Sequence, residues 1–358
     1  MTDIEQILDQ ARWAPSGDNT QPWRFEIVDA RHVVVHGFDT RSHCVYDLDG
    51  HPSQIALGAL VETAAIAASV PGWSMTASRR RDAPDERPVI DLRFQPDPSV
   101  KLDRLAACIT RRSVQRRPLQ TRSLTPAEKN ALDAAVGDAF RLQWLEGLQT
   151  RLRTAMLLFH SARLRLTMPE AYRVHRDIIE WNARYSVDRV PDQALGVDAL
   201  TARLMRFVMQ SWPRVEFFNR YLAGTWAPRL QMDFLPALAC GAHLVLTAKQ
   251  PPASIDDYID AGRAVQRLWL TATDLGLQFQ PELTPLIFAR YAREQRRFSE
   301  LAGMPQAAQS VAAGLTELVG RDTSDRALFM ARIGAGAAPR ARSTRRTLDS
   351  LTVAGGSP

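Results

Sequence analysis

The sequence predicts an α+β fold made of two similar halves, and three observations support this prediction. Stretches rich in β-branched residues alternate with longer helical stretches, as in mixed layered architectures. Residues 55–73 and 259–277 match each other without gaps. The chain has 358 residues, which is enough for two halves of ordinary domain size.

The internal repeat keeps a constant offset of 204 between identical residues. Each segment is typical of a helix of small residues that ends at a glycine. Small side chains let two helices approach closely, so we predict that this pair forms the centre of a duplicated fold. Two unrelated alanine-rich helices could match equally well, and this alternative stays open. The coincident pairs are Ile55/Ile259, Gly58/Gly262, Val61/Val265, Ala68/Ala272 and Gly72/Gly276.

Strands and further helices are predicted around both copies. A short helix over residues 4–13 opens the chain, and a second well-signalled helix begins after Thr125, which is followed by Pro126 and Glu128. The strand predictions rest on runs of β-branched and aromatic residues. They cover residues 23–28, 32–36 and 89–94 in the first half, and 244–248 and 328–333 in the second.

Composition excludes several classes of protein. The chain is 45% hydrophobic and 23% charged, which is ordinary for a globular protein. Its longest apolar runs fall far short of the roughly 18 residues that a membrane span needs. The acidic start predicts no signal peptide, and the three scattered cysteines favour neither a disulfide framework nor a metal site. We therefore expect a cytoplasmic protein without a membrane partner.

The net charge of +6 would also suit a nucleic-acid-binding protein. The arginine clusters lack interleaved aromatic residues, however, so we expect no nucleic-acid partner.

The most informative loop follows the first predicted helix. It reads Ala14-Pro15-Ser16-Gly17-Asp18-Asn19-Thr20-Gln21-Pro22-Trp23. A plain surface turn needs no tryptophan shortly after a polar run. Hydroxyl, amide and backbone donors crowded into one loop suit a planar ligand that forms hydrogen bonds. A capped helix end with a buried tryptophan is the alternative.

The pattern Pro-Ser-x-x-Asn-x-Gln-Pro-Trp resembles the flavin-edge loop of the nitroreductase-like FMN-dependent oxidoreductases. The resemblance implies an FMN cofactor and NAD(P)H as co-substrate, with hydride transfer through flavin N5. The acceptor would be an electron-poor small molecule, such as a nitro compound, a quinone or a biosynthetic intermediate. The implied ring-binding residues are Pro15, Ser16, Gly17, Asn19 and Gln21.

Two basic clusters supply suitable chemistry for the FMN phosphate. Arg111, Arg112 and Ser113 offer two guanidinium forks and a hydroxyl group. They resemble the family's phosphate-binding segment, although Gln115 stands where a basic residue is commoner, and Arg116 could replace it. A C-terminal cluster resembles the basic residues with which family members close. A solvated basic face is the alternative for both clusters. The C-terminal candidates are Arg342, Arg345 and Arg346.

The two kinds of motif lie in different halves. The first half, residues 1–104, has the loop but no Arg-Arg-Ser, and the second half, residues 105–358, has Arg-Arg-Ser. Residues 134–140 of the second half carry no such loop. We therefore predict a monomeric pseudo-dimer with one FMN site between the halves, as in the family's tandem subgroup. The family also implies a backbone donor to flavin N5, which we assign to the backbone of Gln278–Gln280, with Gln278 and Phe279 as the leading candidates.

Residues at about 150–235 fit neither half and are rich in aromatic side chains. We interpret them as a helical, lid-like insertion over the site, with helices near 204–209 and 215–222; core packing between the halves is the alternative. His160 and His175 are candidate acid–base groups without an assigned role. No catalytic side chain and no metal ligand is predicted, because the flavin would carry the chemistry.

Two other functions remain open at this point. One is a flavin-dependent dehydrogenase or tailoring oxidase that acts on a metabolite. The other is a flavin-binding protein without turnover.

Overall fold

The computed structural model describes residues 1–353. The first part of the chain forms a four-stranded antiparallel sheet with strand order β1-β2-β4-β3 and two helices. Its elements, in chain order, are α1 (Asp3–Ala11), β1 (Trp23–Asp29), β2 (His32–Gly37), α2 (His51–Ala68), β3 (Trp73–Arg79) and β4 (Val89–Pro96).

The second part forms another four-stranded antiparallel sheet and a larger set of helices. Its core elements are α3 (Pro126–Ala135), β5 (Phe140–Leu145), β9 (Ala242–Ala248), α10 (Ile255–Asp274), β10 (Leu277–Pro281) and β11 (Ala327–Ala335). Between β5 and β9 lie α4 (Leu148–Thr167), α5 (Pro169–Ile178), β6 (Ile179–Glu180), β7 (Tyr185–Ser186), β8 (Val190–Pro191), α6 (Ala199–Val208), α7 (Trp212–Tyr221), α8 (Trp226–Pro228) and α9 (Leu235–Leu238). Between and after β10 and β11 lie α11 (Thr284–Arg293), α12 (Met304–Val319), α13 (Arg321–Arg326), β12 (Arg342–Ser343) and α14 (Leu348–Leu351).

The two large sheets have the same topology. The first runs β1-β2-β4-β3 and the second β5-β9-β11-β10, both from edge to edge. In each, a long helix joins the second strand to the third in chain order: α2 joins β2 to β3, and α10 joins β9 to β10. The α+β class is confirmed. Strands β3, β5 and β10 of the two large sheets were not predicted. No residue of β3 and only the last residue of β5 is buried, and β10 is a short strand that directly follows a helix.

Helices α2 and α10 cross in backbone contact at two glycines. A Cβ atom on Gly58 would lie 1.8 Å from the Ile259 carbonyl oxygen, and one on Gly262 would lie 2.0 Å from the Ile55 oxygen. No side chain fits at these distances, so both positions require glycine. The contacts are reciprocal, since Gly58 meets Ile259 as Gly262 meets Ile55. The predicted central pair of helices is therefore confirmed.

Segments from later in the chain complete the first core. Leu105, Cys108 and Ile109 pack there, beyond the half boundary predicted at residue 104. The C-terminal segment returns to the same sheet, where the Val353 amide donates to the Phe25 carbonyl at 2.8 Å. This return brings the arginines of the C-terminal segment next to the end of α1. Within residues 1–353, no helix combines the length and the apolar character needed to cross a membrane.

The crossing generates the first prediction. Gly58→Ala should destabilise the protein by at least about 3 kcal/mol, because the methyl group would force the two helix backbones apart. Urea unfolding monitored by circular dichroism measures this. Gly314→Ala in α12 is the matched control, since its methyl would meet only Leu157 Cδ1 at 3.3 Å. We expect the control to change stability by less than about 1 kcal/mol. A Gly58→Ala protein as stable as the control would show that the helices do not meet as described.

Candidate functional site

A cavity of about 890 Å³ lies where the parts of the chain meet. This volume is near the upper end of the range for small-molecule sites, roughly 300–1,000 Å³. Its walls come from the loop after α1, the central helices, the end of β10, the segment between β5 and β9, and the C-terminal segment.

The loop after α1 forms one wall, on which Pro15, Ser16, Gly17 and Asn19 lie. Asp18 and Asn19 have positive φ angles of 50° and 64°, which L-residues rarely adopt, so the loop is tightly folded rather than extended. The Asn19 amide nitrogen donates to the Thr344 carbonyl at 3.2 Å. Its Oδ1 atom is buried and has no partner within residues 1–353, so it remains available as an acceptor.

Gln21 holds this loop in shape and does not line the cavity. Its side chain is fully buried. Its Nε2 donates to the carbonyls of Asn19 at 3.1 Å and Val187 at 2.9 Å, and its Oε1 accepts from the Arg346 amide at 3.0 Å. Its own backbone amide donates to Ser16 Oγ at 3.0 Å. The structure thus gives Gln21 a positioning role in place of the predicted direct contact.

Three arginines converge at the C-terminal end of α1. Arg112 Nη2 donates to the Trp13 carbonyl at 2.9 Å, and Arg345 donates to the Ala14 carbonyl through Nε at 3.0 Å and Nη2 at 2.9 Å. Arg342 Nη2 donates to the Arg112 carbonyl at 3.1 Å. Carbonyls at a helix end carry partial negative charge, which helps to hold the cations there. We call Arg112, Arg342 and Arg345 the arginine cluster.

In the cluster, Arg112 and Arg345 are buried and Arg342 is half-buried, and residues 1–353 supply no compensating carboxylate. None of its members forms an ion pair with an Asp or Glu in the described part of the chain. Burial, and then the neighbouring arginines, lower the pKa of Arg345 to about 9 and the pKa of Arg112 well below its usual value. The Nε atoms of Arg112 and Arg342 are buried and unpartnered. Such a cluster is costly unless an anion joins it, so the donor set fits a multiply charged anionic group.

Two arginines of the cluster stack on tryptophan rings. The Arg112 guanidinium carbon lies 4.5 Å from the centre of the Trp269 ring, and that of Arg342 lies 5.3 Å from the Trp13 ring. Trp269 lines the cavity from α10, and its indole N–H is buried without a partner in residues 1–353. These contacts fix the planes of the guanidinium groups while leaving their remaining donors free.

The structure places the other predicted phosphate-binding residues differently. Ser113 lines the cavity, whereas Arg111 is exposed and lies outside it. Arg346 lies at the rim and pairs with Asp188 at 3.0 Å. Arg116 also lines the cavity, but the charges that act on it are Asp18, Arg332 and Arg165, and none belongs to the arginine cluster. Burial lowers the pKa of Arg116 to about 10.

Gln278 and Phe279 do not line the cavity. The pleat of β10 turns Phe279 into an aromatic core, where its ring centre lies 4.9 Å from that of Trp269. Gln278 lies further back along the strand, with its side chain near Gly336. Of the predicted backbone segment Gln278–Gln280, only Gln280 lines the cavity, and its Oε1 atom is buried without a partner in the described chain.

Five further cavity residues were not predicted as binding residues. Asp18 stands at an unspecified position of the loop pattern, and no local motif joins the other four. The five residues form two hydrogen-bonded pairs and one single carboxylate. The Tyr46 hydroxyl lies 2.9 Å from His175 Nε2, and Arg165 Nη2 donates to Asp233 Oδ2 at 2.6 Å. Burial lowers the pKa of His175 to about 3, so its imidazole is neutral. His160, by contrast, is exposed and lies outside the cavity. The five are Asp18, Tyr46, Arg165, His175 and Asp233.

A buried ionic network forms part of one wall, where Glu282 and Arg332 line the cavity. His243 Nδ1 lies 2.7 Å from Glu282 Oε2, and Arg332 Nη1 donates to Glu282 Oε1 at 3.0 Å. Arg332 Nη2 also donates to the Arg116 carbonyl at 2.8 Å. The network joins β9, β11 and the residue after β10, so it fixes the place of Arg116.

Residues 1–72 match the Nitroreductase family model. An uncharacterized protein from Mycobacterium tuberculosis (strain CDC 1551 / Oshkosh) is 23% identical over 288 residues, which is 80% of this chain. The chain spans 39% of the length of that relative.

Several solved structures resemble parts of the fold. A nitroreductase with bound FMN from Bacteroides fragilis is 11% identical with a TM-score of 0.37, over 66% of this chain and 89% of its own. An FMN-dependent nitroreductase from Mycobacterium smegmatis, in complex with NADPH, is 15% identical with a TM-score of 0.39, over 69% of this chain and 95% of its own. Likeness at this level decides neither the fold nor the activity of this chain.

The ionic network generates a prediction about pH. Burial opposes the charge of His243, but the Glu282 carboxylate outweighs it and raises the pKa of His243 to about 10 from its usual 6.5. Its contribution to stability is therefore full below pH 6.5 and is lost as pH rises through 10. His243→Asn should cost about 3 kcal/mol at pH 6 and much less at pH 10, measured by urea unfolding. His160→Asn is the control and should follow wild type at both pH values. A cost for His243→Asn that did not vary with pH would contradict the charged network.

Proposed function

We propose that this protein is an FMN-dependent oxidoreductase with one FMN site per chain. The observation that carries the proposal is the buried arginine cluster, which has no carboxylate in the described chain and lies beside the loop after α1. The match of residues 1–72 to the Nitroreductase family includes that loop and supports the proposal. A flavin mononucleotide would supply both the dianionic phosphate and the planar ring that these two walls suit.

The residues present fit the cofactor at both of its ends. Arg112, Arg342 and Arg345 would hold the phosphate, with Ser113 beside them. The buried Oδ1 of Asn19 and Oε1 of Gln280 are free to accept hydrogen bonds from the ring edge. When bound, FMN would supply hydride transfer, while the chain supplies position, charge and the exclusion of water.

We propose further that the chain is a pseudo-dimer in a single polypeptide. The equal strand order of the two sheets and the reciprocal glycine contacts support this proposal. Residues 1–104 and 105–358 would be the two halves, and the segment at about 150–235 would be a lid, since Met205, Met209 and Met232 line the cavity from there. NAD(P)H would be the hydride donor, and an electron-poor small molecule would be the acceptor.

Two neighbouring arginines give the sharpest test of the cofactor site. Arg112→Ala should weaken FMN binding about 10- to 100-fold, since it removes a charge-assisted contact worth about 1.5–3 kcal/mol. Arg111→Ala removes the same charge from the adjacent exposed residue and should bind FMN like wild type. Both affinities are measured by titrating the FMN-free protein with FMN and monitoring the quenching of flavin fluorescence. Equal affinities in the two variants would move the phosphate site elsewhere.

The purified protein should be yellow and contain one FMN per monomer. The reason is that one loop and one arginine cluster meet only once in the structure described. Absorbance of the released flavin against protein concentration, with the mass in solution from light scattering, gives the stoichiometry. Anaerobic NADPH or NADH should bleach the flavin absorbance. A protein that takes up no FMN would overturn the proposed function, and two FMN per chain would overturn the single site.

A further inference from the structure

The cavity has a second charged end, separate from the arginine cluster. Arg116 and Arg165 lie there with two carboxylates, Asp18 and Asp233. The charges that shift the pKa of Asp18 include Arg116 and Arg165 but no member of the arginine cluster. The two ends are therefore distinct electrostatic environments, and the proposed FMN site uses only one of them.

Both arginines at this end keep donors free. Arg165 uses Nη2 for Asp233 and has no other hydrogen-bond partner within residues 1–353. Arg116 donates only from Nη1, to the Ala194 carbonyl at 3.2 Å, and forms no ion pair in the same residues. Since a guanidinium group has five N–H donors, each side chain can still bind another oxygen pair.

The balance of charge at this end differs from that of the arginine cluster. Here Arg165 pairs with Asp233 and Arg332 pairs with Glu282, so of these three arginines only Arg116 forms no ion pair in the described chain, whereas none of the three arginines of the cluster forms one. Asp18 has no hydrogen-bond partner in the described chain, and burial raises its pKa, which favours its neutral form. A singly charged group therefore fits this end better than a dianionic phosphate.

Apolar side chains line the same cavity as the two arginines. They are Met205 of α6, Met209 directly after that helix, Met232 and Leu166. Methionine side chains are flexible and polarisable, so they adapt to apolar ligands of various shapes. Tyr46 and the neutral His175 add an uncharged polar pair next to this wall. The surroundings suit a molecule with an apolar body and one anionic group.

We propose that this end of the cavity is a subsite for the carboxylate of a small apolar acid. Arg116 and Arg165 would bind the carboxylate oxygens, and the methionines of the β5–β9 segment would cover the apolar body. The role of such an acid as a substrate rests on the proposed flavin chemistry, but its binding does not. Asp18 would oppose binding when it is ionised.

Cyclohexanecarboxylate is a suitable probe, because its saturated ring is not planar and is a poor partner for stacking on a flavin. Isothermal titration of the protein as purified should show binding at least tenfold tighter than that of the neutral cyclohexanecarboxamide. Arg116→Gln should weaken carboxylate binding about tenfold or more. Asp18→Asn should tighten it at a pH at which Asp18 is ionised, because the variant then lacks a negative charge near both arginines.

Arg165 is tested in a variant that keeps the fold. The pair Arg165→Gln and Asp233→Asn removes both partners and leaves no buried unpaired charge. This variant should bind the carboxylate at least tenfold more weakly and should keep the wild-type FMN content. Arg203→Gln, on the exposed face of α6, is the control and should match wild type.

The outcomes separate this proposal from the proposed function. No carboxylate binding by wild type, or equal binding by wild type and the Arg116 and Arg165 variants, overturns the subsite whatever the flavin content. Loss of FMN from the Arg165 variant also overturns it, because Arg165 would then belong to the cofactor site. Charge-dependent carboxylate binding by a protein without FMN would support the subsite and overturn the function.

Discussion

The backbone contact between α2 and α10 is the constraint on which the rest of the structure depends. Two helices can approach this closely only where neither has a side chain, and Gly58 and Gly262 meet that condition for each other. The crossing fixes how the two sheets face one another. It also sets the floor of the cavity, which is lined by Ile55 and Ala59 from α2 and by Val265 and Trp269 from α10. A shift of one helix would therefore move the ring beneath Arg112.

Hydrogen bonds from three arginines join distant segments of the chain at the end of α1. Three segments distant in the sequence meet at the end of α1: the helix itself, the stretch around Arg112 and the C-terminal segment with Arg342 and Arg345. They meet there through donors to the Trp13, Ala14 and Arg112 carbonyls, which only partly offset the cost of burying Arg112 and Arg345 beside the half-buried Arg342. An anion bound between the three guanidinium groups would offset their mutual repulsion and stabilise the contact between the segments. Ligand binding and the attachment of the C-terminal segment are thus expected to be coupled.

The sequence indicates candidate site residues where residues of similar chemistry are close together in the chain. The loop at residues 15–19 and the residues Arg112, Arg342 and Arg345 stand out because polar or basic types crowd into short stretches. The sequence could not separate Arg112 from Arg111, since the direction of a side chain depends on the packing of Cys108 and Ile109 in the first core. It likewise could not show that Gln21 faces inward.

Other features had no local signal at all. His243 lies on β9, Arg332 on β11 and Glu282 directly after β10, so only the pairing of the second sheet brings them together. Arg165 and Asp233 are paired by the packing of the β5–β9 segment. Strand β3 was not predicted because none of its side chains is buried and buried and exposed positions do not alternate along it. Such features follow from tertiary structure, which composition and spacing do not encode.

The asymmetry between the halves follows from the lengths of two connections. In the first half, the eleven residues 12–22 join α1 to β1, and they are long enough to fold into the loop that lines the cavity. In the second half, only the four residues 136–139 join α3 to β5 at the equivalent place. Four residues complete a turn and leave none to form a wall. The strand order that the two sheets share therefore does not extend to this loop, and the proposed single site agrees with the shortened connection.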